Sequence, residues 1–227
     1  MSYNQAYSGE FVGTRKSVGV KDKPVPVDIR SKAAYLVFKR FFDIVVSAAA
    51  LILLSPFFLV VSVLIRSTTK STAFFVQERI GRGGKPFNVC KFRTMKPDAP
   101  SNVATNDLDH AEDHITKIGK FLRKASIDEL PQLFNVFKGD MSIIGPRPLI
   151  VSEANIHALR TQNGVYQLRP GLTGWAQING RDYLTDEEKV ALDTEYVRRL
   201  GIRFDLLCLT RSISVVFSGK GFAEGKK

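Results

Sequence analysis

The longest apolar stretch of the chain, Ile44 to Ile65 (IVVSAAALILLSPFFLVVSVLI), runs 22 residues without an ionisable side chain. As a helix it would extend about 33 Å, enough to cross a hydrocarbon core of roughly 30 Å. Cations bracket it on both sides, with Lys39 and Arg40 before it, Arg66 and Lys70 after it, and Arg15, Lys16, Lys21, Lys23 and Arg30 further upstream. Positive charge is retained on the cytoplasmic side, so cations at both ends argue against a single crossing. Ser55-Pro56 falls mid-run, where proline removes a backbone donor and crowds the preceding turn, while a serine hydroxyl can cover a freed carbonyl. Pattern alone leaves two readings open: a proline-kinked spanning helix, and a re-entrant helix-break-helix hairpin that enters and leaves by one face.

Beyond Lys70 the pattern shortens and mixes. FFVQERIGRGGKPFNVCKFRTM predicts two strands, near Ala73–Gln77 and Phe87–Phe92, joined by a turn at Gly81–Gly84. The Gly81-x-Gly83-Gly84 run is too short for a dinucleotide fingerprint and is read as that hairpin turn. Ile115, Ile118, Phe121 and Leu122 recur at helical spacing within 108–124, and Leu133, Phe134 and Phe137 continue it over 130–137. A further helix is expected over 186–199, and Phe204–Phe217 is an apolar helix or strand, lying on the headgroups or on the domain. No long alternation of strand and helix favours a doubly wound sheet, so the expected class is α+β, mostly helical. The expected organisation is a polar arm over 1–35, a membrane hairpin over 36–70 and a catalytic domain over 71–227 with interfacial amphipathic helices.

Charge adds one constraint. Thirty-three Lys and Arg against 22 Asp and Glu leave a formal +11, which calls for anionic partners such as lipid headgroups, phosphorylated substrates or nucleic acid. Nucleic acid ranks last, because no recognised binding motif is present and the apolar run would go unexplained. Cys90 and Cys208 have no metal-ligand or disulfide spacing, and nothing before Arg15 predicts a cleaved leader. His110, His114 and His157 fit no metal pattern and are read as surface groups, while Trp175 is expected to pack or to sit at an interface.

The densest polar group runs from Arg123 to Arg147 and contains Ser126-Ile127-Asp128-Glu129-Leu130-Pro131. One reading is structural: Ser126-x-x-Glu129 has capping-box spacing, and carboxylates in a first helical turn gain roughly 0.3–1 kcal/mol each. With Asp128 as cap instead, Pro131 falls in the first turn, where donors are unpaired anyway. The other reading is chemical. Two adjacent carboxylates among Lys91, Arg93, Arg123 and Arg147 suit phosphoryl transfer, one attacking phosphorus while the other holds Mg2+ on a diphosphate.

Five spaced blocks settle which family the chain resembles. KRFFD (39–43), the Ser55-Pro56-broken apolar run, GKPFNVCKFRTM (84–95), LRKASIDELPQLFNVFKGDMSIIGPRP (122–148) and LRPGLTGWAQINGR (168–181) together resemble small monotopic bacterial sugar transferases acting on polyprenyl phosphate, over about residues 36–217. The resemblance implies a monotopic membrane protein with the re-entrant hairpin and a small catalytic domain on the cytoplasmic face of the inner membrane. It implies Asp128 as the nucleophile that takes a phosphosugar from a UDP-sugar and releases UMP, with Glu129 contacting Mg2+. Lys91 and Arg123 match basic residues near the phosphates, and Arg147 matches a residue holding the nucleotide; Arg93 is grouped with them. Undecaprenyl phosphate is the implied acceptor, membrane lipids the surroundings, an N-acetylated amino sugar the expected sugar, a surface glycan such as capsule or exopolysaccharide the pathway, and a homodimer the assembly considered. The rival class is a non-catalytic membrane adaptor, for which Asp128 would be dispensable.

Overall fold

A computed structural model describes residues 29–100, 111–180 and 183–218. The arm before residue 29, His110 and Asp182 therefore lie outside the described residues.

Helix α1 (Ala33–Thr69) is the dominant element, and among the described residues it is the one helix long and apolar enough to cross a membrane. Two helical arms meeting at a break were expected; helical structure instead continues through Pro56. The proline leaves the carbonyl of Ile52 without its usual donor, and Ser55 Oγ donates to that oxygen at 2.8 Å. One local side chain thus repairs the ladder where the sequence weakens it. The helix ends at Lys70, which adopts a left-handed conformation with φ 51°.

The buried positions of α1 are Asp43, Ser47, Phe58, Val61 and Ile65, a stripe along one face. At the N-terminal end, Ile143 N donates to Asp43 Oδ1 at 3.0 Å, and Tyr35 and Lys39 both reach Asp205 Oδ2 at 2.6 Å. At the other end Phe58 meets Phe92 edge to face at 5.4 Å, and Val61 and Ile65 share a core with Ala73 and Leu122. Both ends of α1 therefore rest on one domain. Its other faces expose Val37, Phe41, Ile52, Leu53, Leu59 and Val60.

The domain begins with the expected hairpin, β1 (Phe74–Ile80) and β2 (Pro86–Phe92), paired antiparallel from Phe74↔Phe92 to Ile80↔Pro86. Gly83 and Gly84 supply the positive φ its turn needs. After α2 (Ala111–His114), α3 (Lys117–Lys124) and α4 (Gln132–Lys138), a strand β3 (Ser142–Ile144) and a short β4 (Leu149–Ile150) follow. Strand β4 adds to the free edge of β1, giving the order β2-β1-β4, and β3 pairs in parallel with β5 (Gly171–Thr173). Helices α5 (Ala154–Gln162), α6 (Trp175–Ile178), α7 (Asp186–Arg198) and α8 (Ile202–Ser218) complete an α+β chain that is mostly helical. The ambiguous apolar segment at 204–217 is helix.

The main core joins Val136, Met141, Ile144, Leu168, Trp175, Tyr196, Leu200 and Phe204. Trp175 packs on Phe204 at 4.8 Å between centroids and donates to Glu195 at 2.8 Å, as its amphipathic ring allows. His157 is not a surface group: it is half-buried, with Nε2 2.7 Å from the Ile150 carbonyl and Nδ1 against the Tyr166 hydroxyl.

Candidate active site

Asp128 and Glu129 lie in one 3-10 turn, Ile127–Glu129, wedged between α3 and α4. The capping-box reading fails here. Ser126 is left-handed (φ 55°) and makes no side-chain cap, and α4 starts only after Pro131, whose absent N–H costs nothing at that end. The left-handed serine reverses the chain between α3 and the turn, so both carboxylates face the β2 edge rather than capping a helix.

Three elements bring cations to them. Lys91 comes from β2, Arg123 from the last turn of α3, and Arg147 from the loop between β3 and β4. Glu129 Oε1 accepts from both Lys91 Nζ and Arg147 Nη2 at 3.0 Å each. Arg123 is oriented by Nε donation to Thr94 Oγ1 at 2.8 Å. Both dyad carboxylates are only 9% exposed, so these attractions act in a poorly solvated setting. Arg93 is not brought in: its guanidinium binds the Thr72 carbonyl and hydroxyl at 3.0 and 2.9 Å.

The Arg147 loop is held from behind. Gly145 N donates to Thr173 O and Gly171 N to Pro146 O, each at 2.8 Å, and a Cβ on Gly145 would stand 2.5 Å from the Arg169 carbonyl. Only glycine permits this backbone approach, which explains why the GPRP and LRPGLTG blocks occur together. Arg160 Nη1 then donates to Arg147 O at 2.7 Å, while its Nη2 pairs with Asp193 at 2.6 Å.

Burial raises the Asp128 carboxyl to a pKa of about 6; Glu129 adds to the rise, and Lys91, Arg123 and Arg147 oppose it. Burial also lowers the Lys91 ammonium, against the pull of Glu129. Arg79, not anticipated, is lowered to about 10 by burial and then by Arg147; it sits on β1, with Nη1 3.3 Å from the Pro148 carbonyl. Gln77 and Glu78 precede it, so the end of β1 reads as polar and no sequence signal marks its burial. Thr94, Arg160 and Asp193 had no sequence signal, because their roles depend on contacts across 29, 13 and 33 residues.

Among the described residues no three His, Cys, Asp or Glu side chains gather as a metal cage. Mg2+ needs none: it binds through one or two carboxylates, phosphate oxygens and water, and this dyad offers that donor set. The arrangement as a whole is an anion receptor with two carboxylates at its centre, suited to chemistry at a phosphate.

A family model described as "Bacterial sugar transferase" matches residues 34–219, which include every residue of this cluster. The chain is 42% identical over 191 residues to "Uncharacterized sugar transferase EpsL" of Bacillus subtilis (strain 168), covering 83% of this chain and 92% of that protein. It is 40% identical over 196 residues to the "UDP-glucose:undecaprenyl-phosphate glucose-1-phosphate transferase" of Klebsiella pneumoniae, covering 82% of this chain but 41% of that protein. "Exopolysaccharide production protein ExoY" of Rhizobium meliloti (strain 1021) is 36% identical over 200 residues, with 81% and 87% covered. Fold, charged cluster and these similarities agree, and the chain belongs to the bacterial sugar transferase family of enzymes.

Proposed function

We propose that the protein transfers a sugar 1-phosphate from a UDP-sugar to undecaprenyl phosphate, through a phosphosugar ester on Asp128, as a membrane step in exopolysaccharide or capsule synthesis. The observation that carries this is the pair of adjacent, nearly buried carboxylates facing Lys91, Arg123 and Arg147, with Glu129 engaged by two of those cations and Asp128 beside it. An Asp128 oxygen attacks the sugar-bearing phosphorus, forming a new P–O bond. The P–O bond to the bridging oxygen breaks, its electron pair leaving on UMP. A phosphate oxygen of the polyprenyl acceptor then attacks the same phosphorus and the Asp128 carboxylate departs, giving a lipid diphosphosugar. Lys91, Arg123 and Arg147 bind and orient the diphosphate and offset its charge. Glu129, with Asp128 adjacent, would hold Mg2+, which supplies further charge neutralisation at the diphosphate when bound.

The relatives' names carry glucose or galactose rather than an amino sugar, which puts UDP-glucose and UDP-galactose at the head of a donor panel alongside the N-acetylated sugars. For the membrane, we propose that α1 enters and leaves by one face, with the domain on the cytoplasmic side of the inner membrane. Support comes from its buried stripe, since a domain bonded at Asp43 and packed at Ile65 would be drawn into hydrocarbon if α1 crossed the bilayer.

The deciding experiment uses the purified full chain with donor alone. Intact mass should reveal a phosphosugar adduct, and Asp128→Asn should lose both adduct and UMP release by at least about a thousandfold. Normal turnover in that variant would refute Asp128 as the nucleophile, whereas no UMP release by the wild-type chain from any UDP-sugar would favour the adaptor reading. Labelling of a cysteine placed before α1 from outside intact cells would remove the one-face topology.

A further inference from the structure

At the far end of α4 from the dyad, cationic side chains converge on a second cavity. Lys39, Arg40 and Asp43 of α1, Arg82 of the β1–β2 turn, Ser142 of β3 and Arg169 contribute to its wall, around a cavity of about 60 Å3 that opens to solvent. Lys39 is satisfied by Asp205 at 2.6 Å. Among the described residues the three arginines make no ion pair with a carboxylate: Arg40 donates to the Val136 and Phe137 carbonyls (2.6 and 2.8 Å), Arg169 to Gly139 O (2.8 Å) and Arg82 to Gln167 O (3.0 Å). Asp43 is the one carboxylate among the described residues that line this cavity, and one of its oxygens already accepts from Ile143 N.

The charge balance points to an anion. Three guanidiniums, less Asp43 and less about half a charge from the C-terminal carbonyls of α4, leave roughly +1.5. A phosphate monoester carries about −1.5 to −2 at neutral pH, and guanidinium forks match its oxygens. Arg169 registers the crowding, its pKa lowered by burial and then by Arg82 and Arg40. About 10 Å of helix, the length of α4, separates these carbonyls from the dyad turn. Lys39 and Arg40 lie just before the apolar run, which on the one-face topology proposed for α1 sets the cavity near headgroup depth.

We propose that this cavity is a second anion site, distinct from the dyad, that takes a phosphate group. The phosphate comes from an anionic phospholipid headgroup, a diester of about −1, or from a soluble phosphate of about −1.5 to −2, and both present non-bridging oxygens that guanidinium forks match.

The test compares wild type, Arg82→Glu, Arg169→Gln and Asp128→Asn, all full chain. In one arm, protein released from nanodiscs of mixed phosphatidylglycerol and phosphatidylcholine is assayed for retained lipid by native mass spectrometry. In the other, inorganic phosphate is titrated calorimetrically into protein in neutral detergent. The expected result is selective retention of phosphatidylglycerol, or phosphate binding, that falls about tenfold in Arg82→Glu and Arg169→Gln and weakens with salt. Asp128→Asn should keep it, which separates this site from the catalytic reading. Arg82 is exposed at a turn, so its reversal leaves the core intact, and retained UMP release verifies the fold. Equal retention of both lipids together with no phosphate binding in wild type overturns the proposal, as does binding unaltered in both arginine variants.

Discussion

Two sets of buried charges lie on either side of Arg147, and they are built differently. Arg160 and Asp193 form a closed pair at 2.6 Å, with side chains 3% and 1% exposed. The dyad is open: Glu129 shares one oxygen between Lys91 and Arg147, Asp128 feels three cations, and Lys91 and Arg147 keep 18% and 30% exposure. A closed pair leaves little to bind and serves to hold the Arg147 backbone. An open cluster keeps acceptor and donor capacity for a ligand, and burial with Glu129 beside it holds the Asp128 carboxyl above its usual range. The comparison teaches that carboxylate burial alone does not mark a reactive site; unequal numbers of opposed charges do.

The largest effect should come from breaking the closed pair. Asp193→Asn leaves the Arg160 guanidinium buried without a counter-charge, at a cost of about 3–5 kcal/mol of stability. Replacing both partners, Arg160→Met with Asp193→Leu, should cost much less than the single change. Urea unfolding in detergent measures both, and a single variant within about 1 kcal/mol of wild type would show that the pair is not closed.

The dyad should respond in the opposite sense. Because the folded pKa of Asp128 is raised from 3.8 to about 6, its contribution to stability is complete below the unfolded pKa and is lost as pH rises through about 6. Ionised Asp128 then costs at most about 3 kcal/mol at pH 8, and Asp128→Asn should recover much of it. The gain should vanish near pH 4. Destabilisation by Asp128→Asn at pH 8 would remove the contrast between the two sites.

The same shift predicts a rate profile. A nucleophilic carboxylate must be ionised, so kcat/KM for UMP release should fall about tenfold per pH unit below about 6 in the metal-poor limit. Glu129 is the second cause of the rise, so Glu129→Gln should move the inflection to lower pH while reducing the rate. An inflection that stays in place would mean that Glu129 does not act on Asp128 through charge.

Much of this was legible along the chain. Periodicity placed the β1–β2 hairpin, α4 and α7 within a few residues, because each buries a face with its own local repeat. The open cluster was legible as well, through Asp128, Glu129, Lys91, Arg123 and Arg147. The closed pair was not: Arg160 and Asp193 stand on separate helices, and a single charge on a helix normally faces water. Strands β3, β4 and β5 are two or three residues long, too short for an alternating pattern, and exist because neighbouring segments supply their partners. Capping-box spacing occurs at Ser126, where the residue is instead left-handed and caps nothing; Thr185–Glu188 forms one at the start of α7. Closeness to Lys91 in the sequence groups Arg93 with the phosphate ligands, yet Thr72 holds its guanidinium.

The smallest effect should sharpen the open side of the comparison. Arg123 has a neutral anchor, the Thr94 hydroxyl at 2.8 Å, on a segment that also receives Thr116 Oγ1 at the Thr94 carbonyl. Thr94→Val keeps the side-chain shape and the carbonyl contact and removes the hydroxyl that accepts from Arg123 Nε. Stability should change by about 1 kcal/mol or less, since a hydrogen bond to a partly solvated cation is lost and the arginine can rehydrate. Catalysis should suffer more, about tenfold in kcat/KM, because a cation displaced by an ångström no longer meets the charge developing on the diphosphate. Thr94→Ser restores the hydroxyl and should restore the rate. If valine and serine behave alike, Arg123 finds its position without Thr94, and the cations of the open cluster are held as firmly as those of the closed pair.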